Sequence, residues 1–157
     1  MNLEEKIIKE LQERNYSITT AESCTGGLLA GRLLNVSGAS SVYNEGHITY
    51  SNEAKERLLG VSRKTLETYG AVSSQTAKEM ALGAAKAANA NVGLSTTGIA
   101  GPGGGTPEKP VGLVYVGCCI DGNVTVEECC FAGNREENRT SAVEACLQLL
   151  WRQLQSE

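Results

Sequence analysis

Hydrophobic residues recur at helical spacing in the first and last segments of the chain. Leu3, Ile7, Ile8 and Leu11 lie one, three or four positions apart, which predicts a helix over about residues 3–14. Further helices are predicted over residues 28–35, 52–60, 63–70, about 75–89 and about 135–154. A helix with one apolar stripe buries that stripe against another element, so these segments predict a packed core.

Short runs of β-prone residues separate the predicted helices. The predicted strands cover residues 16–21, 46–51, 91–98, 111–120 and 124–131. Asp121 and Gly122 lie between the last two strands and are typical of a two-residue hairpin turn. Such a turn would place Cys118 opposite Thr125. The pair Cys118-Cys119 would then not face the pair Cys129-Cys130 across the hairpin.

The order of these elements indicates the fold class. Strands that alternate with helices predict a three-layer α/β/α sandwich around one sheet. Connections through helices make the first three strands parallel, whereas the hairpin adds an antiparallel neighbour. We therefore expect a mixed, mostly parallel sheet. The length of 157 residues fits a single domain over residues 1–157.

Composition and charge narrow the function classes. The net charge is −4 and no block rich in Lys or Arg occurs, which argues against nucleic acid as a partner. No apolar run is long enough to span a bilayer, so no membrane association is expected. Acidic and basic residues alternate near the first residue, unlike a signal peptide, so we expect a cytoplasmic protein.

The cysteine pattern argues against a structural metal site. There are six cysteines and one histidine, His47, and no two cysteines have the C-x-x-C spacing. We therefore expect no metal ligands. In a reducing compartment the cysteines are expected to be free thiols, most of them buried.

Three polar segments follow the predicted parallel strands, and they carry the candidate chemistry. They are residues 22–27, 50–55 and 97–102. Because parallel strands end at the same edge of a sheet, and ligands bind at that edge, these segments should converge. Ser23 could act as a nucleophile there if Lys55 lost its proton and served as the base. His47 is expected at the opposite edge, which argues against a Ser–His pair.

Simpler interpretations of the same residues stay open at this point. Ser23 or Thr25 could only cap a helix, and Gly26 with Gly27 could only form a tight turn. Lys55 could be a solvated residue on a helix face, and Cys24 could be a nucleophile or a buried thiol.

Two further features point to an anion without identifying one. The Gly-rich segment after the third strand resembles a phosphate-binding loop but lacks the G-K-[ST] ending of a P-loop, so it could be only a mobile loop. Arg135 and Arg139 open the last helix, where basic residues are disfavoured by the helix dipole. That placement hints at anion binding, with surface solvation as the alternative.

Five segments together resemble the CinA C-terminal family. They are AESCTGGLLAG, YSNEAKERLLGV, GAVSSQTAKEMALGA, STTGIAGPGGGTPEKPVG and FAGNREENR. They occur in the family's order and cover roughly residues 18–151. The resemblance is to the stand-alone deamidase form, and it implies a three-layer α/β/α fold.

This resemblance implies an enzyme of pyridine nucleotide salvage. The family is described as hydrolysing nicotinamide mononucleotide to nicotinic acid mononucleotide and ammonia with a Ser–Lys pair. Ser23 would then be the nucleophile and Lys55 the base, with a lowered pKa, while Tyr50 positions or relays the proton. N–H groups near three residues are expected to stabilise the oxyanion, namely Thr25, Gly26 and Gly27.

Substrate contacts and partners are also implied by the resemblance. Asn52, Gly98, Gly101 and Arg139 are expected to bind the substrate, and its phosphate would meet the Gly-rich loop, Arg139 or both. The extra glycine run 103–105 differs from the family pattern. A small-molecule nucleotide is the expected ligand, without metal or cofactor, and a homo-oligomer is the expected assembly.

Two other functions remain possible at the level of sequence. One is a non-catalytic nucleotide-binding or regulatory module linked to competence or DNA damage, which would bind the ligand without releasing ammonia. The other is an amidase that acts on a different pyridine nucleotide or carboxamide.

Overall fold

The structure is a computed structural model, and it describes residues 1–156. The helices are α1 (Leu3–Arg14), α2 (Leu28–Leu34), α3 (Asn52–Leu59), α4 (Arg63–Tyr69), α5 (Ser74–Ala88) and α6 (Arg135–Gln155). The strands are β1 (Ile18–Glu22), β2 (His47–Ile48), β3 (Val92–Gly98), β4 (Leu113–Ile120) and β5 (Asn123–Cys130). A short 3₁₀ turn, Ala39–Ser41, precedes β2.

The five strands form one mixed sheet in the order β2-β1-β3-β4-β5. β1 pairs in parallel with both β2 and β3, whereas β4 is antiparallel to β3 and to β5. Four strands therefore run in one direction and β4 runs in the other, which confirms the mixed, mostly parallel sheet.

Helices cover both faces of this sheet and give the three expected layers. The larger core cluster joins α1, α2 and α6 to alternate residues of β3 and β4 and to Ile18 of β1. On the other face, α5 packs closely against β3 because the strand has small residues there. A Cβ on Gly93 would lie 2.3 Å from the Ala81 carbonyl oxygen, and the Ser95 hydroxyl donates to the Ala77 carbonyl.

Local signals in the sequence account for several element boundaries. The side chain of Asn2 accepts from the Glu5 N–H in a capping box that starts α1. Ser73 caps α5 by accepting the Thr76 N–H with its hydroxyl. Asp121 and Gly122 both have positive φ angles and form the two-residue turn, and Cys118 pairs with Thr125 as expected.

The second strand is shorter than the predicted residues 46–51. Only His47 and Ile48 are in the strand, because the chain then leaves the sheet edge. The Thr49 N–H still donates to the Glu22 carbonyl at 2.8 Å, and Ser51 already caps α3. Among residues 1–156, no helix is both long enough and apolar enough to cross a membrane.

Candidate active site

Ser23 lies directly after β1 and is held by the neighbouring strand. Its N–H donates to the Thr96 carbonyl on β3 at 3.1 Å, and the residue is 8% exposed. Its hydroxyl oxygen lies 3.0 Å from the Lys55 side-chain nitrogen. The structure therefore brings together the two residues that the sequence singled out as nucleophile and base.

Lys55 is buried in the first turn of α3. Its side-chain nitrogen lies 2.8 Å from the Thr49 carbonyl oxygen and 3.3 Å from the Tyr50 carbonyl oxygen, and the residue is 1% exposed. Burial disfavours the charged form and lowers the pKa of Lys55 from 10.5 to about 8, as the sequence argument required. With two N–H bonds donated to these carbonyls, a neutral Lys55 directs its lone pair towards Ser23.

Glu22 is a member of this site that the sequence analysis did not assign. Its carboxylate is 1% exposed and accepts the Thr25 hydroxyl at 2.5 Å. It also accepts the N–H groups of Gly27, Leu29 and Ala30 at the start of α2. The sequence signal for this role was an acidic residue at the end of a strand and a few residues before a helix. The burial of Glu22, however, is seen only in the folded sheet.

The expected oxyanion donors need correction. The Gly27 N–H is taken by Glu22, and the Gly26 N–H donates to the Ser23 carbonyl at 3.2 Å. The Thr25 hydroxyl bonds both Glu22 and Thr96, so it ties the turn to β3. Only the backbone N–H of Thr25, among the three residues expected to supply donors, has no acceptor within residues 1–156.

Arg139 supports the Ser23 turn and does not point freely into solvent. Its Nε donates to the Cys24 carbonyl at 2.9 Å, and one terminal nitrogen donates to the Thr25 carbonyl at 3.1 Å. A Cβ on Gly26 would lie 3.2 Å from that guanidinium group. Arg139 therefore donates to two backbone carbonyls, and its expected contact with the substrate phosphate stays a prediction.

Tyr50 and Asn52 lie at the exposed rim of the site. Tyr50 is 65% exposed, and its hydroxyl accepts from Arg135 at 3.3 Å. Its contact with Lys55 is through the backbone carbonyl, so the main chain of Tyr50 positions Lys55, and the relay through the hydroxyl stays a prediction. Asn52 is the exposed first residue of α3.

The Gly-rich loop is tethered to the start of α6. Arg135 donates to the Gly101 carbonyl at 2.8 Å, and the buried Asn138 amide donates to the Ala100 carbonyl at 3.0 Å. Gly98 is required by packing, since a Cβ there would lie 2.7 Å from the Leu113 carbonyl oxygen. A Cβ on Gly101 would likewise contact the Val111 side chain. Packing therefore explains why both positions are glycine, whether or not they also contact a ligand.

Other candidate groups are less suited to the chemistry. Burial raises the pKa of the Cys24 thiol to about 11, which disfavours its thiolate. His47 opens β2 opposite Ala21, nearer the site than expected, but its side chain faces Glu45 at 3.5 Å. Within residues 1–156, no three His, Cys, Asp or Glu side chains are placed to hold a metal ion.

Comparisons with known proteins agree on one family. The CinA C-terminal domain model matches residues 1–154. Relatives from Clostridium acetobutylicum and Clostridium novyi, both named as competence-damage inducible proteins, are 56% and 58% identical over 98% of this chain. The chain spans 37% of the length of these two relatives.

Solved structures show the same fold at full length. The competence/damage inducible protein CihA from Agrobacterium tumefaciens has 45% identity and a TM-score of 0.93, over 96% of this chain and 92% of that one. A CinA-superfamily protein from Klebsiella pneumoniae has 33% identity and a TM-score of 0.95, over 99% and 97%. The chain described here belongs to the CinA C-terminal domain family.

Proposed function

We propose that this protein is an amidohydrolase that converts nicotinamide mononucleotide to nicotinic acid mononucleotide and ammonia. The observation that carries the proposal is the contact of 3.0 Å between the Ser23 hydroxyl and the buried Lys55 nitrogen. A serine becomes a nucleophile when an adjacent base accepts its proton. A lysine serves as that base once its pKa approaches the working pH, and burial lowers the pKa of Lys55 to about 8.

The first half of the reaction forms an acyl-enzyme. The Ser23 oxygen attacks the carboxamide carbon while neutral Lys55 takes the hydroxyl proton. The resulting tetrahedral intermediate collapses as the carbon–nitrogen bond breaks, and protonated Lys55 returns the proton to the leaving nitrogen. Ammonia departs, and Lys55 is neutral again.

The second half restores the enzyme. A water molecule attacks the ester carbon, and Lys55 accepts one proton from it. Collapse of the second intermediate releases the carboxylic acid, and the Ser23 oxygen regains the proton from Lys55. One amide and one water are consumed, and one acid and one ammonia are formed, so no metal or redox partner enters the balance.

The negative charge of each intermediate needs a fixed hydrogen-bond donor. We assign the backbone N–H of Thr25 to this role, since the neighbouring N–H groups of Gly26 and Gly27 are occupied. Arg139 binds the Cys24 carbonyl, which belongs to the same peptide unit as that N–H. Because carbonyl and N–H point in opposite directions in a trans peptide, this bond orients the Thr25 donor away from Arg139.

Recognition of the substrate phosphate is assigned to the rim of the site. Arg135 lies there between the Gly101 carbonyl and the Tyr50 hydroxyl, and it is exposed. Arg139 is half-buried and donates to two backbone carbonyls, whereas Arg135 is exposed and donates to one, so Arg135 and the Gly-rich loop are the better placed groups. The net charge of −4 disfavours nucleic acid as a partner. The proposed ligand is therefore a small-molecule nucleotide.

The decisive experiment measures ammonia release from nicotinamide mononucleotide. The purified protein should release ammonia and the corresponding acid, and Ser23→Ala should lower the rate by about 10³-fold or more. Cys24→Ala should retain the wild-type rate within about tenfold, because its buried thiol has a raised pKa. Near-wild-type turnover by Ser23→Ala would refute the proposed nucleophile.

The names of the relatives refer to competence and damage, so the second candidate is a non-catalytic nucleotide-binding or regulatory module linked to competence or DNA damage. It predicts that nicotinamide mononucleotide binds and is recovered unchanged. Incubation with nicotinamide, its riboside and its mononucleotide, followed by product analysis, separates this candidate from the hydrolase. The same comparison identifies an amidase with a different carboxamide substrate.

The homo-oligomer and the cytoplasmic location stay predictions. Large apolar side chains next to the site are exposed, with Leu28 at 42% and Ile48 at 56%, which supports contact with a second copy. Sedimentation of the purified protein tests the assembly. Cell fractionation tests the location.

A further inference from the structure

Glu22 is a buried carboxylate without a cationic partner. It is 1% exposed, and within residues 1–156 no Lys, Arg or His side chain forms an ion pair with it. A buried charge is strongly unfavourable unless hydrogen bonds replace its hydration. The protein therefore has to supply hydrogen bonds to the Glu22 carboxylate. The positions of the donors indicate the role of Glu22.

Four donors converge on the Glu22 carboxylate. One oxygen accepts the Thr25 hydroxyl at 2.5 Å and the N–H groups of Gly27 and Leu29 at 3.1 and 2.9 Å. The other oxygen accepts the Ala30 N–H at 3.0 Å. These N–H groups lie at the start of α2, so Glu22 caps this helix although it belongs to the preceding strand. The helix dipole favours a negative charge at this end of the helix.

The same residue holds the segments on both sides of β1. The Glu22 main-chain carbonyl accepts the Thr49 N–H at 2.8 Å, and the Thr49 carbonyl in turn accepts from Lys55. The Thr25 hydroxyl, bound to Glu22, also lies 2.7 Å from the Thr96 hydroxyl on β3. Glu22 thus connects to the segments that carry both members of the Ser–Lys pair.

We propose that Glu22 is a positioning residue, whose carboxylate fixes the turn of residues 23–27 so that the Ser23 hydroxyl stays aligned with Lys55. The proposal rests on the proposed function only in that Ser23 is the nucleophile. The Glu22 carboxylate also fills the N–H cluster of α2 with a fixed negative charge. A phosphate or an oxyanion of the substrate is therefore excluded from the start of α2 and binds elsewhere.

Glu22→Gln tests this role with almost no change in shape. Both Glu22 oxygens accept hydrogen bonds, whereas a glutamine side chain presents one NH₂ group, which would face an N–H or hydroxyl donor. The turn must shift to avoid that contact. A displacement of about 1 Å in a reacting group can lower the rate by about 10²-fold. We expect kcat to fall by about this factor while KM for nicotinamide mononucleotide stays within about threefold.

A second readout does not depend on the natural substrate. A fluorophosphonate probe forms a bond between the Ser23 oxygen and phosphorus, releases fluoride, and leaves the hydroxyl proton on Lys55. The wild type should be labelled at Ser23, and Glu22→Gln should be labelled at least about tenfold more slowly while its circular dichroism spectrum is unchanged. Labelling of folded Glu22→Gln at the wild-type rate would overturn the proposal.

A matched pair at Thr25 covers the case in which Glu22→Gln fails to fold. Thr25→Ser keeps the hydroxyl that binds Glu22, and Thr25→Val replaces it with a methyl group of similar size. Labelling that is at least about tenfold slower in Thr25→Val than in Thr25→Ser would support the proposal. Equal labelling rates in the two folded variants would contradict it.

The outcomes separate this inference from the proposed function. A wild-type protein that is labelled at Ser23 but releases no ammonia has a different substrate, and the labelling rates still decide the role of Glu22. A wild-type protein that is not labelled at Ser23 lacks an activated serine, which overturns both proposals.

Discussion

The side-chain nitrogen of Lys55 lies 3.0 Å from the hydroxyl oxygen of Ser23, although the two residues are 32 positions apart in the sequence. The same nitrogen donates to the carbonyls of Thr49 and Tyr50. No carboxylate forms an ion pair with Lys55 within residues 1–156, so burial remains the dominant effect on its pKa. The arrangement favours the neutral amine that a general base requires.

The pH dependence of activity follows from the pKa of Lys55, which burial lowers to about 8. Only neutral Lys55 can accept the Ser23 proton, so kcat/KM should rise about tenfold per pH unit below pH 8 and level off above it. Ammonia release measured from pH 6 to 9.5 checks this profile. Lys55→Arg should lose activity at every pH, because an arginine stays protonated. A wild-type profile that is flat across this range would contradict the assignment of the base.

Lys55 should also make the protein more stable at alkaline pH. Its pKa is about 8 in the folded state against an ordinary 10.5, so the unfolded chain binds more protons between these values. The free energy of unfolding therefore rises with pH through this window. Relative to Lys55→Met, the wild type should gain about 2 kcal/mol between pH 7 and 10. Urea denaturation of both proteins across this range measures the difference, and parallel curves would show that Lys55 keeps its ordinary pKa.

Arg139 should affect the chemical step more than substrate binding. Its guanidinium binds the Cys24 and Thr25 carbonyls, so Arg139→Met releases the turn that carries the proposed oxyanion donor. We expect kcat to fall by about 10²-fold with KM nearly unchanged. Arg135→Met is the matched comparison, and it should raise KM with little change in kcat. A raised KM as the main effect of Arg139→Met would restore its role as a phosphate ligand.

The Tyr50 hydroxyl should matter less than the Tyr50 backbone. The hydroxyl accepts from Arg135 at the rim, whereas the carbonyl accepts from Lys55. Tyr50→Phe keeps the carbonyl, so we expect kcat to change by less than about tenfold and the pH profile to keep its midpoint. A kcat loss comparable to that of Ser23→Ala would establish a proton relay through the hydroxyl.

The sequence was most informative where the signal is local or topological. The Asn2 capping box and the turn at Asp121 involve near neighbours, so residue type predicts them directly. Convergence of Ser23 and Lys55 followed from the helical connections, which make the first three strands parallel, so that these strands end at the same edge of the sheet.

The sequence was less informative where a side chain had a choice of distant partners. Arg139 could bind a substrate anion or a backbone carbonyl, and residue type does not distinguish these. In the folded chain Arg139 donates to the carbonyls of Cys24 and Thr25, a contact that depends on the direction of these carbonyls. The same holds for the N–H groups of Gly26 and Gly27, which were expected to face substrate but bond within the protein.

Gly101 should be needed for folding, and a nearby glycine in the same loop provides a control. Gly101 has a φ angle of +86°, and a Cβ there would lie 2.4 Å from the Val111 side chain. Gly101→Ala therefore combines backbone strain with overpacking and should lower the free energy of unfolding by about 1–3 kcal/mol. A Cβ on Gly103 would meet no heavy atom within 4 Å, so Gly103→Ala should be nearly neutral. Urea denaturation gives both values, and equal stabilities would show that Gly101 is retained for the ligand and not for packing.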